Sequence, residues 1–168
     1  MKKVLIVAFM IFMVVGSVFA TTWSTLKIVD DFGDDTGLVR LYTIIEDVKY
    51  GSYSWEYEDC AILIDKGYDD DILPYIVQFF VGDTSYSKWI VSTKLNDGTV
   101  HTYNFELYGK YIGPTMDDVV EFVLACNGLI SDFISGCKVI LYPDNRYSTD
   151  KYNLGYISIY SWELVKVQ

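Results

Sequence analysis

Turn-forming residues interrupt this chain at short intervals, a spacing that is typical of a succession of strands. The turn signals are Gly33, Gly37, Gly51, Gly67, Gly82, Asn96-Asp97-Gly98, Gly109 and Gly113. The intervening segments are rich in β-branched and aromatic residues, and aromatic side chains alone make up 17% of the chain. Both classes favour strands. The spacing therefore predicts an all-β fold, an antiparallel β-sandwich of about eight to ten strands. The alternative is one sheet closed on itself and capped by a helix.

The clearest hairpin in the sequence lies within residues 86–107. Two alternating segments flank the turn Asn96-Asp97-Gly98, whose glycine suits a left-handed backbone position. Counting by two along the second segment places His101 on the same face as Tyr103 and Phe105, which is the expected core side. His101 is the only histidine of the chain, and no Gly-x-Ser-x-Gly motif accompanies it. We therefore expect His101 to have no catalytic role.

One helix interrupts the strand pattern, at about residues 115–127. Thr115 suits the N-cap position, and Asp117 and Asp118 would lie in the first turn, where the helix dipole favours acidic side chains. Apolar residues follow at helical spacing, and Asn127-Gly128 is typical of a helix end. The sequence predicts a short helix that packs across an end or an edge of the sandwich.

The first twenty residues have the pattern of a secretory signal peptide. Two lysines precede an apolar run from Val4 to Val15, and Val18-Phe19-Ala20 follows where a signal peptidase would cleave. The run is shorter than the roughly 20 residues that a membrane-spanning helix needs. We expect residues 1–20 to be removed and residues 21–168 to form one exported domain without a transmembrane helix. That domain would be periplasmic, on the cell surface or secreted.

The charge of the chain restricts its partners. The formal net charge is −10 at pH 7. Removal of Lys2 and Lys3 would leave 11 basic residues against 23 acidic ones, a charge of −12. A field of that sign repels nucleic-acid backbones and anionic lipid. The composition therefore excludes nucleic acid and leaves proteins and glycans as partners.

Three cysteines remain in the expected domain: Cys60, Cys126 and Cys137. Export permits disulfide bonds, and an odd number leaves at least one free thiol. Cys126 and Cys137 are the closest pair in the sequence, so a bridge between them is one hypothesis. The other is that all three are small buried residues.

An acidic loop, Val29 to Gly37, is expected between the first two strands. Asp31, Asp34 and Asp35 in this loop are candidate ligands for Ca²⁺, because that ion prefers hard oxygen donors. Their spacing does not match an EF-hand loop. Acidic side chains in turns commonly accept hydrogen bonds from nearby backbone N–H groups. We therefore expect no metal and no cofactor, with Ca²⁺ at these residues as the alternative.

Aromatic side chains are the best candidates for contact with a ligand. Exposed rings on a β-sandwich stack on sugars or pack against a partner protein. The predicted ligand-binding residues are Trp55, Tyr57, Trp89, Tyr147 and Tyr152, and Trp162 belongs to the same group. The competing interpretation places most of these rings in the core.

Three segments resemble one group of small exported bacterial proteins. These segments are Trp23 after the expected cleavage site, Val29 to Gly37 (Val-Asp-Asp-Phe-Gly-Asp-x-Thr-Gly), and Tyr152 to Ile159 (Tyr-x-Leu-Gly-Tyr-Ile-Ser-Ile). The group is of the spirochaete and host-associated type and is also similar, more distantly, to the invasion-associated locus B proteins. It usually carries proline where Asp35 stands. The resemblance implies a β-sandwich with a non-enzymatic role.

Together these features predict a secreted or periplasmic interaction module without enzymatic activity. It would bind protein or carbohydrate through an aromatic-rich surface. One alternative is a structural component of the envelope or surface that has no discrete ligand. Another is a hydrolase that uses two carboxyl groups. Among 23 acidic residues the sequence does not select such a pair, so no catalytic residue is predicted.

Overall fold

The computed structural model describes residues 21–29, 33–49, 57–82, 85–145 and 151–167, with the side chains of all of these except residues 47, 49 and 57. The strands are β1 (Ser24–Val29), β2 (Asp35–Lys49), β3 (Tyr57–Asp69), β4 (Leu73–Phe80), β5 (Lys88–Leu95), β6 (Val100–Tyr108), β7 (Tyr111–Pro114), β8 (Cys137–Pro143) and β9 (Tyr152–Ile157). Helix α1 (Val119–Ser135) lies between β7 and β8, and α2 (Ser161–Leu164) and a 3₁₀ turn (Val165–Val167) follow β9. The predicted all-β fold is confirmed.

All nine strands belong to one antiparallel sheet, which corrects the prediction of a two-sheet sandwich. The strand order is β1-β2-β3-β4-β7-β6-β5-β8-β9. We call β1–β4 the first half and β5–β9 the second half. They join where β4 pairs with β7, with Phe79 opposite Ile112 and Phe80 opposite Tyr111. Alternation along a strand indicates which of its side chains share a face. It does not indicate which other strands lie next to it. The sequence therefore did not distinguish one sheet from two.

One face of the sheet, the inner face, carries the core. In the first half, Leu41, Ile62 and Val77 point to this face and are fully buried. The two ends of the sheet also approach each other. The indole N–H of Trp23 donates to the carbonyl of Ser158 at 2.8 Å, and the Trp23 side chain belongs to the core. Because sheets twist, a single sheet can wrap around its core in this way, with its outer face towards solvent.

Helix α1 begins at Val119, later than the predicted start at Thr115. The N–H of Thr115 donates to the carbonyl of Asn104 at 3.3 Å, so this residue is still bound to the sheet. Asp118 is the N-cap, and its Oδ1 accepts a hydrogen bond from the N–H of Val120 at 2.8 Å. The predicted cap was therefore wrong because β7 extends up to Pro114.

The helix also continues beyond Asn127-Gly128, where the sequence predicted its end. The side chain of Asn127 donates to the carbonyl of Ile72 at 2.8 Å. Farther along the helix, Leu129 and Phe133 are fully buried in the core. Burial of two such side chains contributes about 3–6 kcal/mol, whereas an internal glycine costs about 1 kcal/mol. Tertiary packing therefore outweighs the local stop signal.

The predicted hairpin between β5 and β6 is confirmed. The N–H of Gly98 donates to the carbonyl of Leu95 at 3.0 Å, and Gly98 has a φ of 92°. His101 lies opposite Thr93 and Tyr103 lies opposite Val91, which places His101 on the inner face as expected. Within the described ranges, no helix combines the length and the apolar composition required to cross a membrane.

Candidate functional site

The two predicted ligand-binding aromatics whose side chains the structure describes are buried. Trp89 and Tyr152 project onto the inner face and are core residues, with ring centres 5.8 Å apart. This corrects the prediction that they contact a ligand at the surface. Their strands lie in the interior and at the edge of one curled sheet, and both rings fill its concave side. Trp55, Tyr147 and the side chain of Tyr57 lie outside the described residues.

Of the two hypotheses for the cysteines, the structure agrees with the second: all three are free and buried, without a bridge between Cys126 and Cys137. Cys126 is on the buried face of α1, whereas Cys137 starts β8 between Leu95 and Ile157. Burial raises the pKa of Cys126 to about 11 and the pKa values of Cys60 and Cys137 to about 12. Buried thiols of this kind react slowly because the thiolate is the reactive form.

The described part of the acidic loop uses its carboxylates locally. Asp35 Oδ2 lies 2.6 Å from Nζ of Lys27, and Asp35 Oδ1 accepts the N–H of Gly37 at 2.9 Å. The hydrogen bond from Lys27 lowers the pKa of Asp35. Asp34 is exposed beside it, and Asp31 lies outside the described residues. In the part of the chain that the structure describes, no group of three or more His, Cys, Asp or Glu residues is arranged to hold a metal ion.

A continuous row of apolar side chains crosses the outer face of the first half and ends on β7, the adjoining strand of the second half. Pairing across the strands places Ile44 beside Ala61, Ala61 beside Phe80, and Phe80 beside Tyr111. We call these four residues the apolar row. Ile44 is 57% exposed, and Tyr111 at the other end is also exposed. The rings of Phe80 and Tyr111 meet edge to face at 5.9 Å. The row therefore crosses four strands and is open to solvent at both ends.

A neutral ion pair and further apolar side chains border the apolar row. Arg40 donates two hydrogen bonds of 2.7 Å to the carboxylate of Asp65, and its guanidinium carbon lies 6.0 Å from the ring centre of Tyr111. Leu26, which pairs with Arg40 from the edge strand β1, is 55% exposed, and Leu38 is exposed on β2. The bidentate pair neutralises both charges. The outer face of the first half is therefore apolar over several neighbouring positions.

The outer face of the second half is polar by comparison. Thr102 pairs with Ser92, and Ser92 pairs with Ile140. Nearer the hairpin turn, Lys94 pairs with Lys138. Each of these cross-strand rows contains hydroxyl or ammonium groups. The two halves of one sheet therefore present different chemistry to solvent.

The inner face of the second half contains a polar group of four residues, which we call the Asp132 cluster: Thr93, His101, Tyr103 and Asp132. Asp132 projects from α1 and is 3% exposed. Its carboxyl oxygens accept hydrogen bonds from the hydroxyls of Thr93 and Tyr103, the latter at 2.8 Å. Nδ1 of His101 lies 2.9 Å from Asp132 Oδ1. The sequence placed His101 and Tyr103 on this face but missed Asp132, since the predicted helix ended before it.

The Asp132 cluster fixes the orientation of the His101 ring. Nδ1 of His101 forms its hydrogen bonds with Asp132, which directs Nε2 away from the cluster. The side chain of His101 is 44% exposed. Within the described residues, the hydrogen bonds of this ring are made through Nδ1 alone. Burial and the bond to Asp132 raise the pKa of Tyr103. The geometry is therefore that of a structural link between α1 and the β5–β6 hairpin.

A polar cleft of about 270 Å³ opens between the second half and the segment before α1. Its lining includes the carboxyl groups of Glu106, Asp117, Glu121 and Asp144, together with Lys88 and Asn104. Glu121 Oε1 accepts a hydrogen bond from Nδ2 of Asn104 at 2.7 Å. A hydrolase that uses carboxyl groups would draw its acids from this cleft.

Two exposed aromatic side chains follow β9. Tyr160 and Trp162 have ring centres 6.0 Å apart and planes inclined by 11°. Trp162 is 60% exposed, and Nζ of Lys166 lies 4.8 Å from its ring centre. Trp162 is thus a member of the predicted aromatic group that does lie at the surface.

Comparison of the chain with protein-family models, with curated proteins and with solved structures found no significant match. The surfaces of the molecule are therefore the basis for assigning its function. Among the described residues, three surfaces combine exposure with side chains suited to binding. They are the apolar row, the pair Tyr160–Trp162, and the start of α1, where Val119, Val120 and Leu124 are exposed. The apolar row is the one that joins side chains of four strands.

Proposed function

We propose that this chain is a non-enzymatic interaction module that binds a partner protein through the apolar row and the residues beside it. The supporting observation is that Ile44 and Tyr111 are exposed at the ends of a row that crosses four strands. Single exposed apolar residues are ordinary on protein surfaces, whereas contiguous apolar patches mark interaction sites. Export after removal of residues 1–20 belongs to the same proposal and would bring this surface to partners outside the cytoplasm.

The chemistry of the surface favours a protein over a sugar. Ile44 and Leu26 offer only aliphatic groups, which do not hydrogen-bond sugar hydroxyls. Arginine and tyrosine are enriched at the centres of protein interfaces. Here Arg40 is held in place by Asp65 and lies near Tyr111. A partner with a complementary apolar centre would bury the row without leaving an unpaired charge.

The edge of the sheet suggests how the partner docks. Strand β9 is the last strand at one end of the sheet, and residues 21–23 cover the segment that follows it. Strand β1 is the last strand at the other end, and Leu26 and Val29 on it are exposed. An edge strand offers backbone N–H and C=O groups to an added strand. The partner would therefore contact β1 together with the outer face of β2.

Site-specific photocrosslinking tests this function. A photoreactive amino acid at Ile44 of the full chain, in cells that produce it naturally, is expected to give one discrete crosslinked product. The same amino acid at Thr102, on the outer face of the second half, should give none. The product should disappear when Leu26→Asp is added. Equal products at both positions would contradict the proposal, and no product at either would favour a structural envelope component.

A second candidate function is glycan binding at Tyr160 and Trp162. Their nearly parallel, exposed rings support it, because aromatic faces pack on the apolar faces of sugar rings. A glycan array should then give a signal that Trp162→Ala removes. Tyr68→Ala is the matched control, since Tyr68 is even more exposed and lies near the end of β3. A signal unaffected by Trp162→Ala would exclude this site.

A further inference from the structure

Two lysines stand directly opposite each other on the outer face of the second half. Lys94 of β5 and Lys138 of β8 are cross-strand partners, and both are exposed. Side chains in this relation have Cβ atoms about 4.5–5.5 Å apart, and like charges placed there destabilise a sheet. The pair is therefore unfavourable unless something negative lies between the two ammonium groups.

Neither ammonium group forms an ion pair within the described part of the chain. The ion pairs there join Lys27 to Asp35, Arg40 to Asp65, Lys66 to Asp70 and His101 to Asp132. The whole chain has 23 acidic residues against 13 basic ones, so acidic partners are plentiful elsewhere. Two adjacent lysines without such a partner are thus a local exception to the acidic character of the molecule.

The lysines border a cleft of about 430 Å³ at the turn between β5 and β6, which we call the lysine cleft. It is lined by Lys94, Leu95, Asn96, Asp97, Gly98 and Lys138. Nδ2 of Asn96 donates to the hydroxyl of Tyr156 at 3.3 Å, and Tyr156 of β9 is the cross-strand partner of Lys138 on β8. The amide of Asn96 therefore lines the same cleft as the two lysines. The volume is within the range of small-molecule sites.

We propose that the lysine cleft binds one phosphate or sulfate group, either free or as an ester on a sugar. A tetrahedral anion between the two lysines would replace their repulsion with charge-assisted hydrogen bonds. Asp97 also lines the cleft, and its carboxylate accepts the N–H of Thr99 at 2.8 Å. This carboxylate would repel additional anionic groups. The site therefore suits a single phosphate or sulfate and not a polyanion, consistent with the net charge of −10.

Titration with inorganic phosphate at constant ionic strength, followed by amide NMR of the full chain, tests the proposal. Saturable shifts are expected at residues 94–98 and at Lys138. Lys94→Gln and Lys138→Gln should each weaken the affinity about tenfold, the effect of losing one charge-assisted hydrogen bond. Lys110→Gln, in the turn between β6 and β7, is the control and should bind like the wild type. Shifts that do not saturate, or binding unaffected by both cleft variants, would overturn the proposal.

Thermal melting provides a second readout that does not depend on NMR. Without phosphate, Lys94→Gln should melt at or above the wild-type temperature, because it removes the repulsion. With phosphate, the wild type should gain stability and the variant should gain less. Equal gains in both proteins would refute the site.

Inorganic sulfate and a sugar phosphate ester, used as parallel titrants, distinguish the sources of the group. Equal affinity for the free ion and the ester would identify the tetrahedral group as the recognised part. Tighter binding of the ester would extend the site to the sugar. Failure of all three titrants would overturn the proposal while leaving the protein interface at the apolar row unaffected.

Discussion

The two halves of the sheet share one core but differ in polarity on both faces. In the first half the inner face is largely apolar, and the outer face has the apolar row beside the neutral pair Arg40–Asp65. In the second half the Asp132 cluster lies inside, and Lys94 and Lys138 lie outside. The same strand geometry therefore supports two different surfaces, one suited to an apolar partner and one to an anion.

This contrast shows where helix α1 matters. The helix brings Asp132 to the inner face of the second half, where its carboxyl group accepts bonds from three side chains. Among the described residues, no buried side-chain nitrogen or oxygen lacks a hydrogen-bond partner. Thr93 and Tyr103 on the inner face of the second half are thus tolerated because the helix supplies their acceptor. On the outer face of the first half, apolar residues are exposed, and we propose that a bound partner protein buries them.

The largest expected effect comes from the junction of the two halves. Phe79 is fully buried on β4 and meets Phe105 of β6 at 5.6 Å, whereas its neighbour Phe80 points outwards into the apolar row. Phe79→Ala should lower the free energy of unfolding by about 4 kcal/mol, since it leaves a cavity between the halves. Phe80→Ala should cost about 1 kcal/mol. Urea denaturation of both variants checks this, and similar losses would mean that the faces are assigned wrongly.

The second largest effect should come from removing one polar side chain in each half, and the loss of stability should be greater in the second half. Asp132→Ala leaves the hydroxyls of Thr93 and Tyr103 without their acceptor in the interior, and should cost about 3 kcal/mol. Asp65→Ala breaks the pair with Arg40 on the outer face, where the two side chains are 23% and 18% exposed, and should cost about 2 kcal/mol. Equilibrium unfolding measures both. If Asp65→Ala were the more damaging variant, the outer ion pair and not the inner cluster would be the main polar support.

The smallest expected effect is the contribution of the buried thiols to the pH dependence of stability. Burial raises the pKa of Cys60 and Cys137 to about 12, above the ordinary thiol value of about 8.5. The folded state therefore keeps its thiol protons where the unfolded state loses them. This contribution to stability is complete below about pH 8.5 and declines as the pH rises towards 12.

Reaction with a thiol reagent measures how accessible these thiols are, and it also tests whether the two halves unfold in a single transition. Native protein should react slowly with the reagent, because its thiols are buried and protonated. Cys60 lies in the first half and Cys137 in the second. If the halves unfold together, both thiols should become reactive at the same urea concentration, with Cys137→Ser used to assign the signal. Two separate transitions would show that the halves are independent units.

Local patterns predicted local features well. The turn at Asn96-Asp97-Gly98 formed as expected, because its glycine needs a backbone conformation that other residues rarely adopt. Alternation placed His101 and Tyr103 on the inner face for the same kind of local reason. The end of α1 was predicted incorrectly, because burial of Leu129 and Phe133 depends on strands that are distant in the chain.

The candidate surfaces depended on long-range pairing and were not predictable from the sequence. Trp89 and Tyr152 were expected at the surface and are in the core, while Trp162 is exposed as expected. Aromatic side chains occur both in cores and at binding surfaces, so the residue type alone does not distinguish the two locations. The apolar row joins residues of four strands that are dispersed between Ile44 and Tyr111. Only the register of those strands brings them side by side.

Composition, turn residues and alternation were sufficient to predict the all-β class, the hairpin and the inner-face position of His101. Each of these features depends only on a residue and its near neighbours in the chain. Only the tertiary structure revealed three other features: the single sheet of nine strands, the Asp132 cluster and the pair Lys94–Lys138. The physical reason is that strand pairing is decided by burial summed over the whole chain. A single segment has the same pattern of alternation whichever strand lies beside it.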